Sequence, residues 1–353
     1  MISIEELLKL MVNKGASDLH LKVPSPPVLR IDGELKVQED LPGLSAQEID
    51  EIFASITTAH YKSIFEREQE LDFSYSVGGI ARFRVNVLRQ RGTLSIAFRL
   101  VPIEVPNIDK LELPSILKRL VLKPRGLILV TGHTGSGKST TLAAMLDYLN
   151  ENAKRNVITI EDPVEFLHRD RKCIVCQRDV GEDTRSFAAA LIRALRHDPD
   201  VLIVGEMRDL ETISAAITAA ETGHLVLGTL HTYNAPQSID RIIDVFPPTQ
   251  QSQIRVELSQ IIEAVLSQVL IPRVTGGRVA AFEIMIATTA VRNIIREGKI
   301  HLLHSVMQTA SKEGMQTLDQ ALELLVRKEI ISREDALSQS GDPEQLIKLL
   351  GYA

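Results

Sequence analysis

The sequence predicts an α/β protein built on a mainly parallel sheet covered by helices on both faces, with a small α+β unit before it and helices after it. Three observations carry this. From about residue 111 onward, short and almost wholly apolar runs alternate with helical stripes, as in a sheet buried on both faces. The first such run, Gly126–Thr131, leads straight into Gly132-His133-Thr134-Gly135-Ser136-Gly137-Lys138-Ser139, which fits the phosphate-binding loop G-x-x-x-x-G-K-[ST] without mismatch. Earlier in the chain, Ala81–Val87 alternates apolar and polar by twos, the pattern of a half-buried antiparallel strand.

The elements follow in order. Ile4, Leu7, Leu8 and Met11 form a first helical stripe, and Leu19–Val23, Val28–Ile31 and Ala81–Val87 read as strands of an N-terminal α+β unit, residues 1–100. Val101-Pro102-Ile103-Glu104-Val105-Pro106 is proline-spaced and extended, so residues 101–110 read as a linker. In residues 111–287 the predicted strands are Leu127–Thr131, Val157–Glu161, Val201–Gly205, Leu225–Leu230 and Val279–Ile286. Helices are predicted near 139–152, 185–197, 210–222 and 249–271, the first marked by Leu142, Met145, Leu146 and Leu149 at i, i+3, i+4, i+7. Residues 288–353 read as helices with polar turns and no strand.

Composition narrows the function classes. With 44% hydrophobic and 24% charged residues the chain can bury a sizeable core. The net charge of −6 and 4% aromatic residues without tryptophan disfavour a nucleic-acid partner, which asks for a basic surface and stacking platforms. No apolar run reaches the roughly eighteen residues of a membrane span, and the N-terminus lacks a signal-peptide pattern, so a cytoplasmic protein without membrane insertion is expected. The two cysteines, Cys173 and Cys176, have the C-x-x-C spacing of a redox or half-zinc motif. No second pair exists, and a strand through Ile174-Val175 would send the two thiols to opposite faces, so two reduced thiols are expected.

The phosphate loop, set between a strand and a helix N-terminus, aims backbone N–H groups at one point where a polyphosphate can sit. The predicted nucleotide contacts are Gly132, Thr134, Gly135, Ser136, Gly137, Lys138, Ser139 and Thr140. Lys138 would reach the β- and γ-phosphates of ATP, and the Ser139 hydroxyl would hold Mg²⁺. Two further strand ends carry acids: Glu161-Asp162-Pro163-Val164-Glu165 and Asp200-Val201-Leu202-Ile203-Val204-Gly205-Glu206. Ligands of open α/β sheets collect at the C-terminal strand edge, so these acids should face the nucleotide. Glu206 is the candidate for Mg²⁺ and its water, and Glu165 for orienting the attacking water, with Glu161 its competitor. His231, at the same edge, is the candidate γ-phosphate sensor, whereas His224, at the other end of that strand, suits packing or a domain contact.

The phosphate loop, the I-T-I-E-D-P-V-E, D-V-L-I-V-G-E-M-R-D and T-G-H-L-V-L-G-T-L-H-T segments together resemble the secretion ATPase superfamily, and within it the PilT-type pilus retraction ATPases. Gly15–His20, Ala290–Glu297 (against A-I-R-N-L-I-R-E, with two aliphatic departures) and Gly314–Gln320 extend the resemblance nearly end to end. The four-cysteine metal insert general among extension and type II secretion relatives is missing, which favours retraction. The resemblance implies a homohexameric ring, an N-terminal PAS-like domain, a RecA-like ATPase domain with ATP between them, and arginines of the N-terminal domain approaching the phosphates. Arg82, Arg84 and Arg99 are the candidates by position. It further implies a cytoplasmic enzyme at the inner membrane, working on a pilus platform protein and through it on the pilin fibre. The Ala290–Glu297 helix would serve retraction rather than hydrolysis, with Arg292, Arg296 and Glu297 largely outward, and Arg208 and Asp209 would be structural or interfacial. The rival readings are a related secretion-superfamily ATPase driving pilus extension or protein secretion, a nucleotide-gated module without turnover, disfavoured by the duplicated acids, and a nucleic-acid translocase, disfavoured by the acidic total and few aromatics.

Overall fold

The computed structural model describes residues 3–101, 105 and 107–351. Of the predicted linker, Pro102, Ile103, Glu104 and Pro106 lie outside the described residues. The chain divides into two compact units, Met1–Glu104 with Glu165–Leu167, and Val105–Val164 with His168–Ala353.

The first unit runs α1 (Ile4–Asn13), β1 (Asp18–Lys22), β2 (Val28–Ile31), β3 (Glu34–Val37), α2 (Ala46–Ile56), α3 (Ala59–Glu68), β4 (Glu70–Val77), β5 (Ala81–Gln90) and β6 (Thr93–Val101). Reciprocal Ser3–Glu6 and Ser45–Glu48 bonds start α1 and α2 by satisfying N-terminal N–H groups. The strands form an antiparallel sheet in the order β3-β2-β1-β6-β5-β4. Ala81, Phe83, Val85 and Val87 of β5 are buried, so its period-two pattern does mark a core face. The stripe Ile4, Leu7, Leu8 and Met11 packs into that core.

The second unit continues with α4 (Ile116–Val121), β7 (Gly126–Thr131), α5 (Lys138–Asn152), β8 (Asn156–Glu161), β9 (Ile174–Asp179), α6 (Phe187–Ala194), β10 (Val201–Val204), α7 (Leu210–Glu221) and β11 (Leu225–Leu230). Then come α8 (Ala235–Asp244), α9 (Pro248–Ile261), β12 (Ile262–Pro272), β13 (Arg278–Ile286) and α10 (Thr289–Arg296). The chain ends in α11 (Leu303–Thr309), α12 (Leu318–Arg327), α13 (Arg333–Gln339) and α14 (Pro343–Leu349). The sheet order is β13-β12-β7-β11-β10-β8-β9, parallel except for β13. Alternate residues of β11 supply two cores: Val226 and Leu230 meet α6, α7 and α9, while Leu225 and Leu227 meet α4 and α5. Cys173, just before β9, is buried and donates to the Ala153 carbonyl at 3.1 Å, whereas Cys176 is half-buried on the strand; both thiols are free. Burial pushes the Cys173 thiol up from its ordinary pKa, which makes it a poor nucleophile.

Two expectations need correction. The predicted helix 249–271 is a helix only to Ile261; from Ile262 the chain is β12, paired with β7 on one side and β13 on the other. The run Ala264–Ile271 is apolar enough to fit either period, and its pairing with the distant β7 and with the hairpin partner β13 decides it. The second correction concerns Arg292. Its guanidinium is turned inward, donating to the Ser259 and Gln260 carbonyls at 2.9 and 2.7 Å and to Glu263 at 2.8 Å. It therefore caps the C-terminus of α9, where unpaired carbonyls attract a cation. Glu263 also pairs with Lys123, and a side chain at Gly126 would strike Glu263 Cγ at 2.5 Å, so the start of β7 depends on the same cluster. Arg296, by contrast, is exposed and bonds only locally, to Asn293.

Arg292→Ala should cost about 2 kcal/mol, because it leaves Glu263 and two helix-end carbonyls short of donors. Arg296→Ala should stay within about 0.5 kcal/mol of the parent. Thermal melting of the two variants checks this: several degrees lost for the first and none for the second.

Candidate nucleotide-binding site

The phosphate loop is shaped by glycine at the points where its backbone runs against β12. Gly132 and Gly137 have φ of 144° and 89°. A Cβ at Gly132 would lie 2.4 Å from the Gln268 carbonyl oxygen, and one at Gly137 2.9 Å from the Gln268 side-chain nitrogen. Gly137 then caps α5, and Lys138 opens it. Lys138 Nζ donates to the Gly132 and His133 carbonyls at 2.8 and 3.0 Å, which holds its charge over the loop. Ser139 and Thr140 follow in the first turn, half-buried, and Ser136 is fully buried.

Beneath the loop lies a polar floor that sequence reasoning missed. Gln268, 2% exposed, accepts a 2.7 Å bond from the Thr141 hydroxyl of α5. Beside it Ser267 accepts one of 2.9 Å from Thr131, the last residue of β7. Glu283, opposite Ser267 on β13, is 4% exposed and accepts the Ala235 N–H at 2.8 Å. Ser267 and Gln268 interrupt an otherwise apolar run, and that interruption is the signal the sequence carries, one that points to this floor only when the run is a strand.

Parallel pairing brings the strand ends to one edge. Glu206 follows β10 and His231 follows β11, and His231 Nε2 lies 2.7 Å from Glu206 Oε1. The Arg208 guanidinium binds the same carboxylate oxygen. Thr134, Glu206, Met207, Arg208, Leu230, His231, Thr232 and Arg241 line a cleft of about 510 Å³ at this edge. The loop residue Thr134, the acid and the histidine are thus brought together. Glu161 ends β8, with β10 and β11 between it and β7, and its carboxylate accepts from Thr159 at 2.6 Å and Gln177 at 3.2 Å. Glu165 is exposed and belongs to the short segment 165–167 that groups with the first unit. Asp209 is the N-cap of α7, a structural role, and His224 bonds the Ala219 carbonyl at 2.9 Å near that helix's other end.

In the first unit, Arg84, Arg99, Asp18 and Arg30 stand in one cross-strand row. Arg99 donates to the buried Asp18 at 2.8 Å, so much of its charge is already spoken for. Arg84 lies 3.9 Å from Asp72, and Arg82 is half-buried two residues away on the same face.

Comparison with known proteins agrees with this geometry. Residues 2–338 match the model of the family described as Type II/IV secretion system protein. The chain is 50% identical over 343 residues to the "Type IV pilus retractation ATPase PilT" of Pseudomonas aeruginosa, covering 97% of this chain and 99% of that one. It is 47% identical over 321 residues to a "Twitching motility protein" of Neisseria gonorrhoeae, covering 91% and 86% of the two chains. Among solved structures, that of the pilus retraction motor PilT with bound ADP superposes with a TM-score of 0.91 at 47% identity, over 99% of this chain and all of that one.

Gln268→Leu keeps size but strands the Thr141 hydroxyl and frees the seat of Gly137. It should weaken ADP binding about tenfold, in line with ~1–2 kcal/mol for an orphaned buried partner. Titration of a fluorescent ADP analogue reads this directly.

Proposed function

Since the chain belongs to the Type II/IV secretion system protein family, we propose that it is an ATP-hydrolysing motor that powers retraction of a type IV pilus. The observation that carries the reading is the convergence of an unbroken phosphate loop, Glu206 and His231 at one sheet edge, in a chain half identical to a retraction ATPase along nearly its whole length.

Phosphoryl transfer from ATP to water needs the phosphates positioned and their growing charge offset. The N–H groups of the loop and of the first turn of α5 would point at the phosphates, and Lys138, held over the loop, would add a positive charge. Ser139 and Glu206 offer hard oxygen ligands, the set that Mg²⁺ takes alongside nucleotide phosphates, so these residues fit the ion. Bound there, Mg²⁺ would neutralise phosphate charge. His231, which lies 2.7 Å from Glu206, would bond the γ-phosphate side of the nucleotide. Glu165 is the proposed orienter of the attacking water, with Glu161 the alternative. Arg82, Arg84 and Arg99 would supply positive charge from the first unit, although Asp18 already holds Arg99.

We further propose that six copies assemble as a ring at the cytoplasmic face of the inner membrane. Nucleotide-driven movement of a PAS-like domain, residues 1–100, against a RecA-like domain, residues 111–287, would pass force to a platform protein there. The region 101–110 would serve as hinge and 288–353 as a helical C-terminal region. Among the described residues no helix is long and apolar enough to cross a membrane, so attachment would run through protein contacts.

A strain carrying Lys138→Ala at the native locus tests the reading through pilus display and twitching. Cells with many pili and no twitching are expected. Bald cells would assign the motor to extension, and unchanged cells to an accessory machine.

A further inference from the structure

We propose that Glu283 is a positioning residue for His231, acting through the N-terminus of α8. Only three residues lie between His231 and Ala235, where α8 begins. The intervening loop is tied to that helix: Thr232 Oγ1 lies 2.6 Å from Ser238 Oγ, and the Tyr233 N–H donates to Gln237 Oε1 at 3.0 Å. What fixes the first turn of α8 therefore fixes His231. Asn234 caps Gln237 N–H, and Pro236 has no N–H to satisfy. The remaining donor, Ala235 N–H, is buried and is taken by Glu283.

Glu283 reaches in a second direction as well. Its carboxylate also feels the backbone N–H of Leu318 at the start of α12, which lowers its pKa. One buried side chain thus joins the loop of the nucleotide site to the Gly314–Gln320 segment, for which the site itself has no use. Gln316 clips that segment to β13 next to Glu283, exchanging backbone bonds of 2.8 and 3.1 Å with Ile284.

Stability alone does not account for an acid here. Burial, and secondarily the nearby Asp319, raise its pKa to about 6, although the two helix N–H groups lower it. An acid raised in this way adds stability that is fully present below its unfolded value near 4.5 and is lost as the pH rises through about 6. At neutral pH an ionised Glu283 is a net cost, which the isosteric Gln would not incur. A group kept only for packing should thus be replaceable by Gln without loss.

The proposal rests on the reading of His231 as a group on the γ-phosphate side. The test compares steady-state ATP hydrolysis and melting temperature for the full-length parent, Glu283→Gln, His231→Ala and the double variant. Glu283→Gln should melt no lower than the parent, keep its KM for ATP within about twofold, and lose roughly tenfold in kcat, the ~1.4 kcal/mol of one misplaced hydrogen bond. The double variant should be no slower than His231→Ala alone, because Glu283 acts through His231. Unchanged kcat in Glu283→Gln, or a further tenfold loss in the double variant, overturns the proposal. Full activity in His231→Ala overturns the reading of His231 itself, and the proposal with it.

Discussion

The close approach of the phosphate-loop backbone to β12 is the constraint on which the nucleotide site depends. Gly132 and Gly137 occupy positive φ, and any side chain there would strike Gln268. Seated in this way, the loop turns from β7 into α5 and delivers Lys138, Ser139 and a set of backbone donors to one point. The parallel order β7-β11-β10 then sets the C-terminal ends of the next two strands beside it, which is why His231 and Glu206 share the cleft. None of these side chains is placed by its local sequence alone; each is placed by strand register.

The same register explains the buried polar residues. Thr131, Thr141, Ser267, Gln268 and Glu283 are all under a tenth exposed, and their hydrogen bonds join strands and helices that are far apart in the chain. A buried polar group without a partner costs about 1–3 kcal/mol, so this network favours one relative placement of loop, sheet and helix over its neighbours. Arg292 does similar work at the C-terminal end of α9, where it closes the helix and shares Glu263 with Lys123. One of the most conspicuous charges of the C-terminal motif is therefore a structural cap, which leaves Arg296 as the outward-facing basic residue of that helix.

Much of this was legible in the residues. The stripe of α1, the alternation of β5, the apolar strands and the phosphate loop are local patterns, and local patterns survive in the sequence. Glu206 and His231 were found because each follows an apolar strand, and a parallel sheet sends such positions to one edge. What stayed hidden depends on partners remote in sequence. Ile262–Pro272 is a strand because β7, far earlier in the chain, pairs along it, and Gln268 has its place only because that strand lies under the loop. Arg292 has the exposed position of an amphipathic helix by periodicity, yet the end of α9 turns it inward.

We propose that Glu206, at the end of β10, serves the chemistry while the phosphate loop supplies the binding. Glu206→Gln separates the two when ADP affinity and ATP turnover are measured on the same purified protein. Affinity within a few-fold of the parent with turnover reduced at least ~100-fold is the expected result. Turnover that persists in this variant would mean that the Glu206 carboxylate has no part in hydrolysis.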